Sequence, residues 1–584
     1  MTVPIHHSPQ HPAKVDSDAG RGDDEPHLNR RQVDAWILIL QPRDSSAHLA
    51  DSIANLGYRQ VVSGSSGISL FVRGDRVHRE RQSERIAVVL GCTTSRSPAS
   101  RLLENCDEPS GRLRDPFALV GHFAGVVSGP GGTCVITDHV GSISVHVGRS
   151  RHDDRIQALG THLPDVAAVT GREYIDPVSA REFVLRGAIT FPHTIRRDVT
   201  RLPPAVVTKI DSETRVDHHY WTPSAPERDP TSMDDVAGRA RSIMQENLRS
   251  ALDGVERTLL FFSGGEDCRV LGGLVASDRT IGTTLRGAIF LDHSNREHRL
   301  ARWSSKLLGI PLDIRLRTPS HYVDTIEAAT LLTGGGIDLN HNHAMGLVDP
   351  GEADLFVDGW TADSYLKGWA LEHALATGLS PLEDGDPRDD VDEAIIDRRA
   401  RRLSVLEDLR GGEDAPSWTS LWPISDHLDY GNLGVNIRAR PSISPYMFGN
   451  FIDAILPVRE RRKFDRALFW PMFGRSMGLA GWIPRSGGQL PRLAPHRSRL
   501  VTRFVRRLFR LEDGLTKRIG RSRSQGPWQS PNLPDAALDM LASRLAPARI
   551  RHIEGLVASG QTIDNLGSVG RKHRMIQLAM IADG

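Results

Sequence analysis

A short run of the sequence, Ser263 to Asp267, has the residue types that bind phosphate. It follows a buried apolar run and precedes a helical pattern, so Gly264 and Gly265 would let the backbone turn sharply and approach a ligand closely. The helix that follows would present unpaired N–H groups and the positive end of its dipole. Ser263 adds a hydroxyl donor, whereas Asp267 would need Mg²⁺ between itself and a phosphate. The spacing differs from that of a Walker loop, and the alternative is a chance glycine-rich corner.

This loop resembles that of the ATP-pyrophosphatases of the asparagine synthetase type, which reads Ser-Gly-Gly-x-Asp-Ser. The match is complete except that Cys268 replaces the last serine, and a thiol hydrogen-bonds only weakly. The resemblance implies that ATP and Mg²⁺ are the cofactors. It assigns their binding to Ser263, Gly264, Gly265, Asp267 and Cys268, with Asp267 as a metal ligand.

A second family element follows about a hundred residues later in the family, as roughly Ser-Gly-x-Gly-x-Asp-Glu-x-x-x-Gly-Gly. Here Gly359, Asp363 and Gly368 fall in register with it. The resemblance implies that Asp363 is the second Mg²⁺ ligand and that Gly359 contacts the nucleotide. Thr284, on the strand predicted after the loop helix, joins the nucleotide site on the same basis. The alternative for Asp363 is a solvent-facing loop aspartate.

A third element is eroded. The family has Glu-x-Arg-x-Pro-Phe-Leu-Asp, and Arg440 fits its arginine. Lys463 and Arg466 lie where the family places basic residues that neutralise phosphate charge. The resemblance implies catalytic roles for Lys463 and Arg440, and the alternative for Lys463 is an ordinary exposed basic turn.

The front of the chain resembles the glutaminase half of the same family, through Gly121-His-Phe-Ala and Asp138-His-Val-Gly. A working glutaminase of that family needs a cysteine nucleophile at its mature N-terminus. Residue 2 is Thr2, and no cysteine occurs before Cys92. We therefore expect no glutamine hydrolysis, and a domain that is a structural relic or a wall of the substrate pocket.

The implied function is an ATP-dependent amide synthetase that forms AMP and pyrophosphate through an acyl-adenylate. Its substrates would be a small-molecule or peptide carboxylate and an amine. Asparagine synthetases have Glu, and β-lactam-forming relatives Tyr, where Trp360 stands, so neither of those activities follows. The alternatives are a lasso-peptide-type macrolactam cyclase, an amidotransferase fed by ammonia, and a catalytically retired binding or scaffold protein.

The elements that would position these residues predict an α/β protein. Strands to about residue 170 read as antiparallel, whereas strands and helices alternate after Asp234, as in a parallel sheet. The resemblance implies an Ntn-hydrolase-like αββα domain and then an ATP-pyrophosphatase (PP-loop) domain. We predict four segments: a disordered leader (1–33), the degenerate glutaminase-like domain with its bridge (34–222), the synthetase-like domain (223–484) and a basic helical extension (485–584).

Composition agrees with a folded chain, since 39% of the residues are hydrophobic and 25% charged. The net charge of +1 gives no general attraction to nucleic acid or anionic membrane. Four scattered cysteines and the lack of a long apolar stretch favour a cytoplasmic protein without a membrane span. The residues from His496 to Arg510 predict a basic amphipathic helix, either solvated or bound to an anionic surface. The sequence leaves open a homo-oligomer.

Overall fold

The fold is taken from a computed structural model of the 584-residue chain. The structure describes the following residues: 33–40, 53–63, 68–151, 155–210, 214–225, 232–293, 295–339, 347–371, 393–518, 535–557 and 569–582. The predicted leader, apart from Val33, lies outside them.

The first half of the chain forms two antiparallel six-stranded sheets. Their strand orders are β12-β10-β11-β1-β3-β2 and β14-β13-β9-β8-β5-β4, and β6 and β7 form a separate pair. The bounds are β1 Ala35–Leu40, β2 Arg59–Ser63, β3 Ile68–Arg73, β4 Val77–Gln82, β5 Arg85–Thr93, β6 Cys106–Asp107, β7 Arg112–Leu113, β8 Gly121–Gly129, β9 Gly132–Thr137, β10 His146–Arg149, β11 Ile156–Gly160, β12 Val199–Arg201, β13 Val206–Ile210 and β14 Arg215–His219.

Alternation of side chains along these strands places the two sheets between helices. Trp36 and Leu38 of β1 share one core with Val88 of β5, whereas Ile37 faces a second core built with helices. The other face of the second sheet, including Val89, packs on a third core. The layers are therefore helices, sheet, sheet and helix, because successive side chains point to opposite faces and both faces of each sheet pack on a core.

The second half contains a five-stranded sheet, all parallel, in the order β17-β16-β15-β18-β19. The strand–helix alternation had predicted this arrangement, and the prediction is confirmed. The strands are β15 Arg257–Phe261, β16 Thr284–Leu291, β17 Leu312–Leu316, β18 Leu355–Val357 and β19 Ser442–Ile443.

The helices surround these sheets. The α-helices with defined bounds are α1 Pro98–Asn105, α2 Leu163–Thr170, α3 Pro177–Arg186, α4 Met233–Leu252, α5 Glu266–Ser277, α6 Arg296–Leu308, α7 Pro319–Thr333, α8 Ala362–Leu366, α9 Glu393–Arg410, α10 Ala415–Trp418, α11 Tyr430–Ala439, α12 Gly449–Ile455, α13 Phe469–Phe473, α14 Pro495–Arg518, α15 Asp535–Arg544, α16 Pro547–Val557 and α17 Val569–Ile581. Short 3₁₀ helices include Glu460–Arg466 and Gly478–Trp482.

Most local predictions agree with these elements. The glycine-rich turn Gly129 to Gly132 predicts a hairpin, which is β8–β9. Apolar spacing predicts a helix from Met233 to Leu252, and α4 has those bounds. The predicted basic amphipathic helix is α14. The residues Ser144-Val-His-Val predict a strand, and the strand in the structure begins at His146. In the described part of the chain, no helix combines the length and apolarity needed to cross a bilayer.

The two halves share contacts. The Trp422 indole donates to the His139 carbonyl at 3.0 Å, and the Tyr430 hydroxyl donates to the Ser142 carbonyl at 2.5 Å. Helix α17 joins the core beside α3, where Met575 and Leu578 are buried. The last described helix thus completes the core of the first half.

Candidate functional site

A cavity of about 440 Å³ lies at the carboxyl edge of the parallel sheet, where the loops after β15 and β18 meet. Its lining comes from residues between 261 and 486. Seven residues that the sequence placed in the nucleotide and metal sites line this cavity: Ser263, Gly264, Gly265, Asp267, Cys268, Gly359 and Asp363.

The loop after β15 needs glycine for two reasons. Gly264 has φ +78°, and a Cβ there would lie 2.8 Å from the Ala301 Cα of α6. Gly265 precedes α5, and its N–H donates to the Ser263 hydroxyl at 3.3 Å. The corner therefore places the amino end of α5 directly beside the cavity.

The second loop packs onto the first. An added Cβ on Gly359 would lie 3.2 Å from both the Asp267 Cβ and the Cys268 nitrogen. A side chain at this position would have to push the two loops apart by a few tenths of an ångström, so glycine favours their close approach. Helix α8 follows at once and carries Asp363 into the same cavity.

Asp267 and Asp363 converge on one cation, the Lys367 ammonium. The Nζ atom of Lys367 lies 2.8 Å from Asp267 Oδ1, 2.6 Å from Asp363 Oδ1 and 3.5 Å from Glu266 Oε2. Burial alone would lower the pKa of Lys367, but these carboxylates outweigh burial and raise it. Lys367 is therefore charged at neutral pH.

The carboxylates respond differently to this lysine. The Lys367 ammonium lowers the pKa of Asp363, whereas burial raises the pKa of Asp267 to about 6 despite the same partner. Burial would also raise the pKa of Glu266, but Lys367, Arg485 and Arg466 hold it below its usual value. Charge at this corner is thus balanced by three cations around three acids.

These residues fit a magnesium site that uses two carboxylates. Asp267 and Asp363 come close enough to share one cation, and Mg²⁺ is commonly held by one or two carboxylates together with substrate phosphates. No group of three or more His, Cys, Asp or Glu residues suited to a metal occurs within the described ranges. Lys367 lies between the two carboxylates, so Mg²⁺ would bind beside this ammonium or displace it.

Cys268 is buried at the first turn of α5. Its thiol lies 3.2 Å from the Gly265 carbonyl, to which it donates, and 3.8 Å from the Ser263 hydroxyl. Burial raises the pKa of Cys268 to about 11, so the thiol stays protonated at neutral pH. It acts here as a weak donor within the loop.

Aromatic residues form the wall beside the second loop. The rings of Trp360 and His427 meet edge-to-face at 5.0 Å, and Trp369 lies 6.3 Å from the same histidine. The Asp429 N–H donates to His427 Nδ1 at 3.1 Å, so in the neutral ring Nε2 carries the proton. That Nε2 lies 3.0 Å from the Ser364 hydroxyl oxygen, which accepts a hydrogen bond from the Nε2–H and leaves the hydroxyl hydrogen available to another acceptor.

Two more acids line the cavity. Glu297 lies at the start of α6, and burial raises its pKa to about 7 although Arg485 and Arg269 oppose the shift. Burial likewise raises the pKa of Asp358 to about 6, and its carboxylate accepts from the Trp360 N–H and the Asn432 amide, each at 3.1 Å. Groups that titrate near neutrality are suited to proton transfer.

Three predicted residues do not line the cavity. Thr284 is exposed at the first residue of β16, the opposite end of the strand from Ile289 and Phe290, which do line it. Arg440 precedes β19 and lies over the Phe356 ring at 5.3 Å, where burial lowers its pKa to about 10.

Lys463 is buried in the 3₁₀ helix Glu460–Arg466 and pairs with Glu460 at 2.8 Å. Its neighbour along the chain, Arg466, contacts Glu266 of the loop helix instead. The catalytic roles of Lys463 and Arg440 and the nucleotide contact of Thr284 stay predictions.

The sequence did not single out several residues that line or adjoin the cavity. Lys367 lies four residues after Asp363, a spacing that signals an ion pair on a helix and could have identified it. No local pattern identified the others, because they come from separate parts of the chain: Glu297, His427, Asp429, Asn432 and Arg485.

Comparisons with known proteins give distant structural matches. No protein-family model matches the chain, and no curated protein does. One solved structure is titled the allosteric regulatory enzyme of purine biosynthesis, with 10% identity and a TM-score of 0.20 over 70% of this chain and 89% of that one. Another is glutamine phosphoribosylpyrophosphate amidotransferase from B. subtilis, with 11% identity and a TM-score of 0.19 over 60% of this chain and 73% of that one.

Proposed function

We propose that this protein is an amide synthetase of the asparagine synthetase type, which uses Mg·ATP to activate a carboxylate with release of pyrophosphate and then joins it to an amine. The observation that carries the proposal is the convergence of Asp267 and Asp363, from the loops after two adjacent parallel strands, beside a glycine corner at a helix amino end. The proposal takes the first half as Ntn-hydrolase-like and the second half as a PP-loop domain, and both assignments rest on the sequence resemblance.

The loop after β15 would bind the phosphates of ATP, and the two aspartates beside it would bind the metal. Ser263, Gly264 and Gly265 offer a hydroxyl and backbone N–H groups at the amino end of α5. Asp267 and Asp363 would hold Mg²⁺. When bound, Mg·ATP supplies the electrophilic phosphate and neutralises negative charge on the leaving pyrophosphate.

The chain's own cations and acids would stabilise developing charge and accept a proton during the reaction. Lys367 and Arg485 place fixed positive charge beside the loop, which stabilises negative charge that develops during carboxylate activation. Glu297, with its pKa near 7, can accept a proton from the attacking amine. Trp360 and Trp369 give the cavity an apolar wall suited to an organic substrate.

Substrate identity separates the variants of this proposal. A peptide that supplies both carboxylate and amine would make the enzyme a macrolactam cyclase, whereas free ammonia would make it an amidotransferase. The first half would contribute no glutaminase, since the chain has no cysteine before Cys92. The described first-half residues also contribute no lining to the cavity.

A second candidate function is a retired synthetase that serves as a binding or scaffold protein. The observation that favours it is Lys367, whose ammonium already pairs with both carboxylates predicted to hold Mg²⁺ and lies between them. In that case the glycines persist because the corner between β15 and α5 needs them.

The test is thermal unfolding of the full chain with and without Mg·ATP, for wild type and Asp267→Asn. A ligand at a hundredfold excess over its Kd stabilises by about 2.7 kcal/mol. We expect the wild type to gain this stabilisation and Asp267→Asn to lose most of it. Asp253→Asn is the matched control, because that aspartate is exposed and pairs with Arg96 on the surface.

Products then distinguish the reaction. With candidate carboxylates and amines, AMP and pyrophosphate are expected, and formation of ADP and phosphate would overturn the mechanism. A wild-type chain whose unfolding temperature does not respond to Mg·ATP would favour the retired synthetase.

A further inference from the structure

A second cavity, lined mainly by arginine, adjoins the phosphate-loop cavity. It has a volume of about 350 Å³ and shares Arg485 with the first cavity. We call it the arginine pocket and define it by five guanidinium groups and one hydroxyl, those of Arg466, Arg485, Arg499, Thr502, Arg503 and Arg506.

The pocket is made by two walls that carry the same sign of charge. Arg499, Arg503 and Arg506 lie at i, i+4 and i+7 on α14, so they form one row along the helix. Arg466 and Arg485 form the opposite wall. Arg466 ends the 3₁₀ helix Glu460–Arg466, and Arg485 follows the 3₁₀ helix Gly478–Trp482. Like charges at this spacing repel one another, and an anion between them would relieve the repulsion.

Internal carboxylates do not balance this charge. Arg466 and Arg485 both contact Glu266, which also pairs with Lys367. Arg499 lies 3.7 Å from Asp465, and both of these side chains are more than three-quarters exposed, so water screens the pair. The acids of the neighbouring corner balance Arg466 and Arg485. Arg499, Arg503 and Arg506 then face one carboxylate, Asp465, which also lines the pocket, and two positive charges remain.

A buried hydroxyl in the wall also lacks a partner. The Oγ of Thr502 is shielded from solvent and makes no hydrogen bond to the part of the chain that the structure describes. Thr502 itself is 7% exposed and lines the arginine pocket. A buried hydroxyl without a partner costs free energy, which an acceptor that reaches it from the pocket would offset.

We infer that the arginine pocket binds a small anion with two or more phosphate or carboxylate groups. Guanidinium groups bind both kinds of oxyanion in pairs of parallel hydrogen bonds, and several of them favour a ligand with several charges. The volume exceeds what one phosphate ion needs. This inference does not depend on ATP binding in the neighbouring cavity.

Calorimetric titration of the full chain with tripolyphosphate and with citrate, at fixed ionic strength, tests this inference. The variant Arg499→Glu/Arg503→Glu reverses two charges of the pocket. Its matched control is Arg507→Glu/Arg510→Glu, which changes the same charge on exposed residues of α14 outside the pocket. We expect the pocket variant to bind at least tenfold more weakly than wild type and the control variant to bind within about threefold of it.

The two probes identify the ligand chemistry. Binding of tripolyphosphate alone assigns a phosphate-bearing ligand, binding of citrate alone assigns a carboxylate-bearing one, and binding of both assigns the shared oxyanion chemistry. Asp267→Asn should retain the binding, which separates this pocket from the phosphate loop. Absence of binding by either probe, or equal weakening in the control variant, would overturn the inference.

Discussion

Cys268 occupies the one position of the loop Ser263–Cys268 where the chain departs from the resembled Ser-Gly-Gly-x-Asp-Ser pattern. Its thiol donates to the Gly265 carbonyl at 3.2 Å and stays protonated. A serine hydroxyl is a stronger donor than a thiol, so Cys268→Ser would offer a better hydrogen bond to a bound phosphate.

We expect Cys268→Ser to tighten Mg·ATP binding by about 0.5–1.5 kcal/mol, or roughly two- to tenfold, as measured by calorimetric titration. Cys92→Ser, a change to a half-buried thiol on β5, is the control and should leave the affinity as it is. An affinity that falls or stays constant in Cys268→Ser would show that the thiol does not face the phosphates.

Glu297 makes stability depend on pH. Burial raises its pKa from 4.5 to about 7, so the folded protein holds this proton more tightly than the unfolded chain does. The resulting stabilisation is complete below a pH of about 4.5 and is lost as the pH rises to about 7. Glu297→Gln keeps the shape of the side chain and removes its titration.

Between about pH 5 and pH 8, we expect the free energy of unfolding to fall further in wild type than in Glu297→Gln. The difference between the two decreases should be about 1–3 kcal/mol. Chemical denaturation at several pH values measures the free energy of unfolding of both proteins. In the difference between them, the contributions of all other titrating groups cancel. Glu407→Gln changes an exposed residue of α9 and should track wild type. Parallel curves for Glu297→Gln and wild type would contradict the prediction.

At the residue scale, the sequence alone brings side chains together where they are close along the chain. Ser263, Gly264 and Asp267 follow one another along the chain, so their types and order were sufficient to place them together. Lys367 and Glu297 reach the cavity because folding brings together segments that are up to a hundred residues apart in sequence. Their neighbours in sequence therefore do not reveal their place in the site.

Arg440 shows the opposite case. The resemblance implies a catalytic role for it, which stays a prediction; in the structure it lies at the amino end of β19, over Phe356, and does not line the cavity. A motif that matches in only a few positions fixes neither the direction of the side chain nor the edge of the sheet at which it lies. The cations that do meet the loop, Arg466 and Arg485, follow it in separate segments.

At the scale of elements, the corner between β15 and α5 controls the site. Gly264 has φ +78°, and its missing Cβ leaves room for the Ala301 Cα of α6. An alanine there must both adopt a left-handed conformation and displace the backbone of a neighbouring helix. The corner thus couples the phosphate loop to α6, which carries Glu297.

We expect Gly264→Ala to lower the free energy of unfolding by about 1–3 kcal/mol and to abolish stabilisation by Mg·ATP in thermal unfolding. Gly238→Ala is the matched control, since Gly238 lies within α4 and a Cβ there meets nothing within 4 Å. That change should raise stability by about 0.5–1 kcal/mol. A Gly264→Ala chain that responds to Mg·ATP like wild type would exclude the loop as the phosphate site.

Element prediction succeeded for long periodic segments and for turns with glycine. Met233 to Leu252 repeats apolar residues every three or four positions, and this period alone fixes a helix. β18 and β19 have only three and two residues, too short for any period to appear. Both are strands because parallel neighbours in the sheet complete their hydrogen bonds.

At the scale of the whole molecule, the C-terminal helix belongs to the core of the first half. The Gln577 side chain accepts from the Leu339 N–H at 3.3 Å and donates to the Ile337 carbonyl at 2.9 Å, so its amide is held at both ends. Leu578 beside it is fully buried, in one cluster with Phe183 of α3. This helix falls within the predicted helical extension (485–584), but the sequence does not identify its distant partner in the first half.

We expect Leu578→Ala to lower the free energy of unfolding by about 2–5 kcal/mol, because it leaves a cavity in a core that α17 and α3 share. Leu500→Ala, at a residue that is 76% exposed on α14, should change stability by less than about 0.5 kcal/mol. Denaturant unfolding measures both. A small effect of Leu578→Ala would mean that α17 docks loosely.

The burial of α17 also sets an order of events during synthesis. Residues up to Arg186 of α3 leave the ribosome more than 380 residues before Val569 does, which at about 5–20 residues per second is a delay on the order of 20–80 s. A first half that folds during that delay leaves uncovered the apolar surface around Phe183 and Val184 that α17 later covers. A nascent first half of this protein is therefore a natural client for chaperones that bind exposed apolar chain, and its folding finishes only when its last helix arrives.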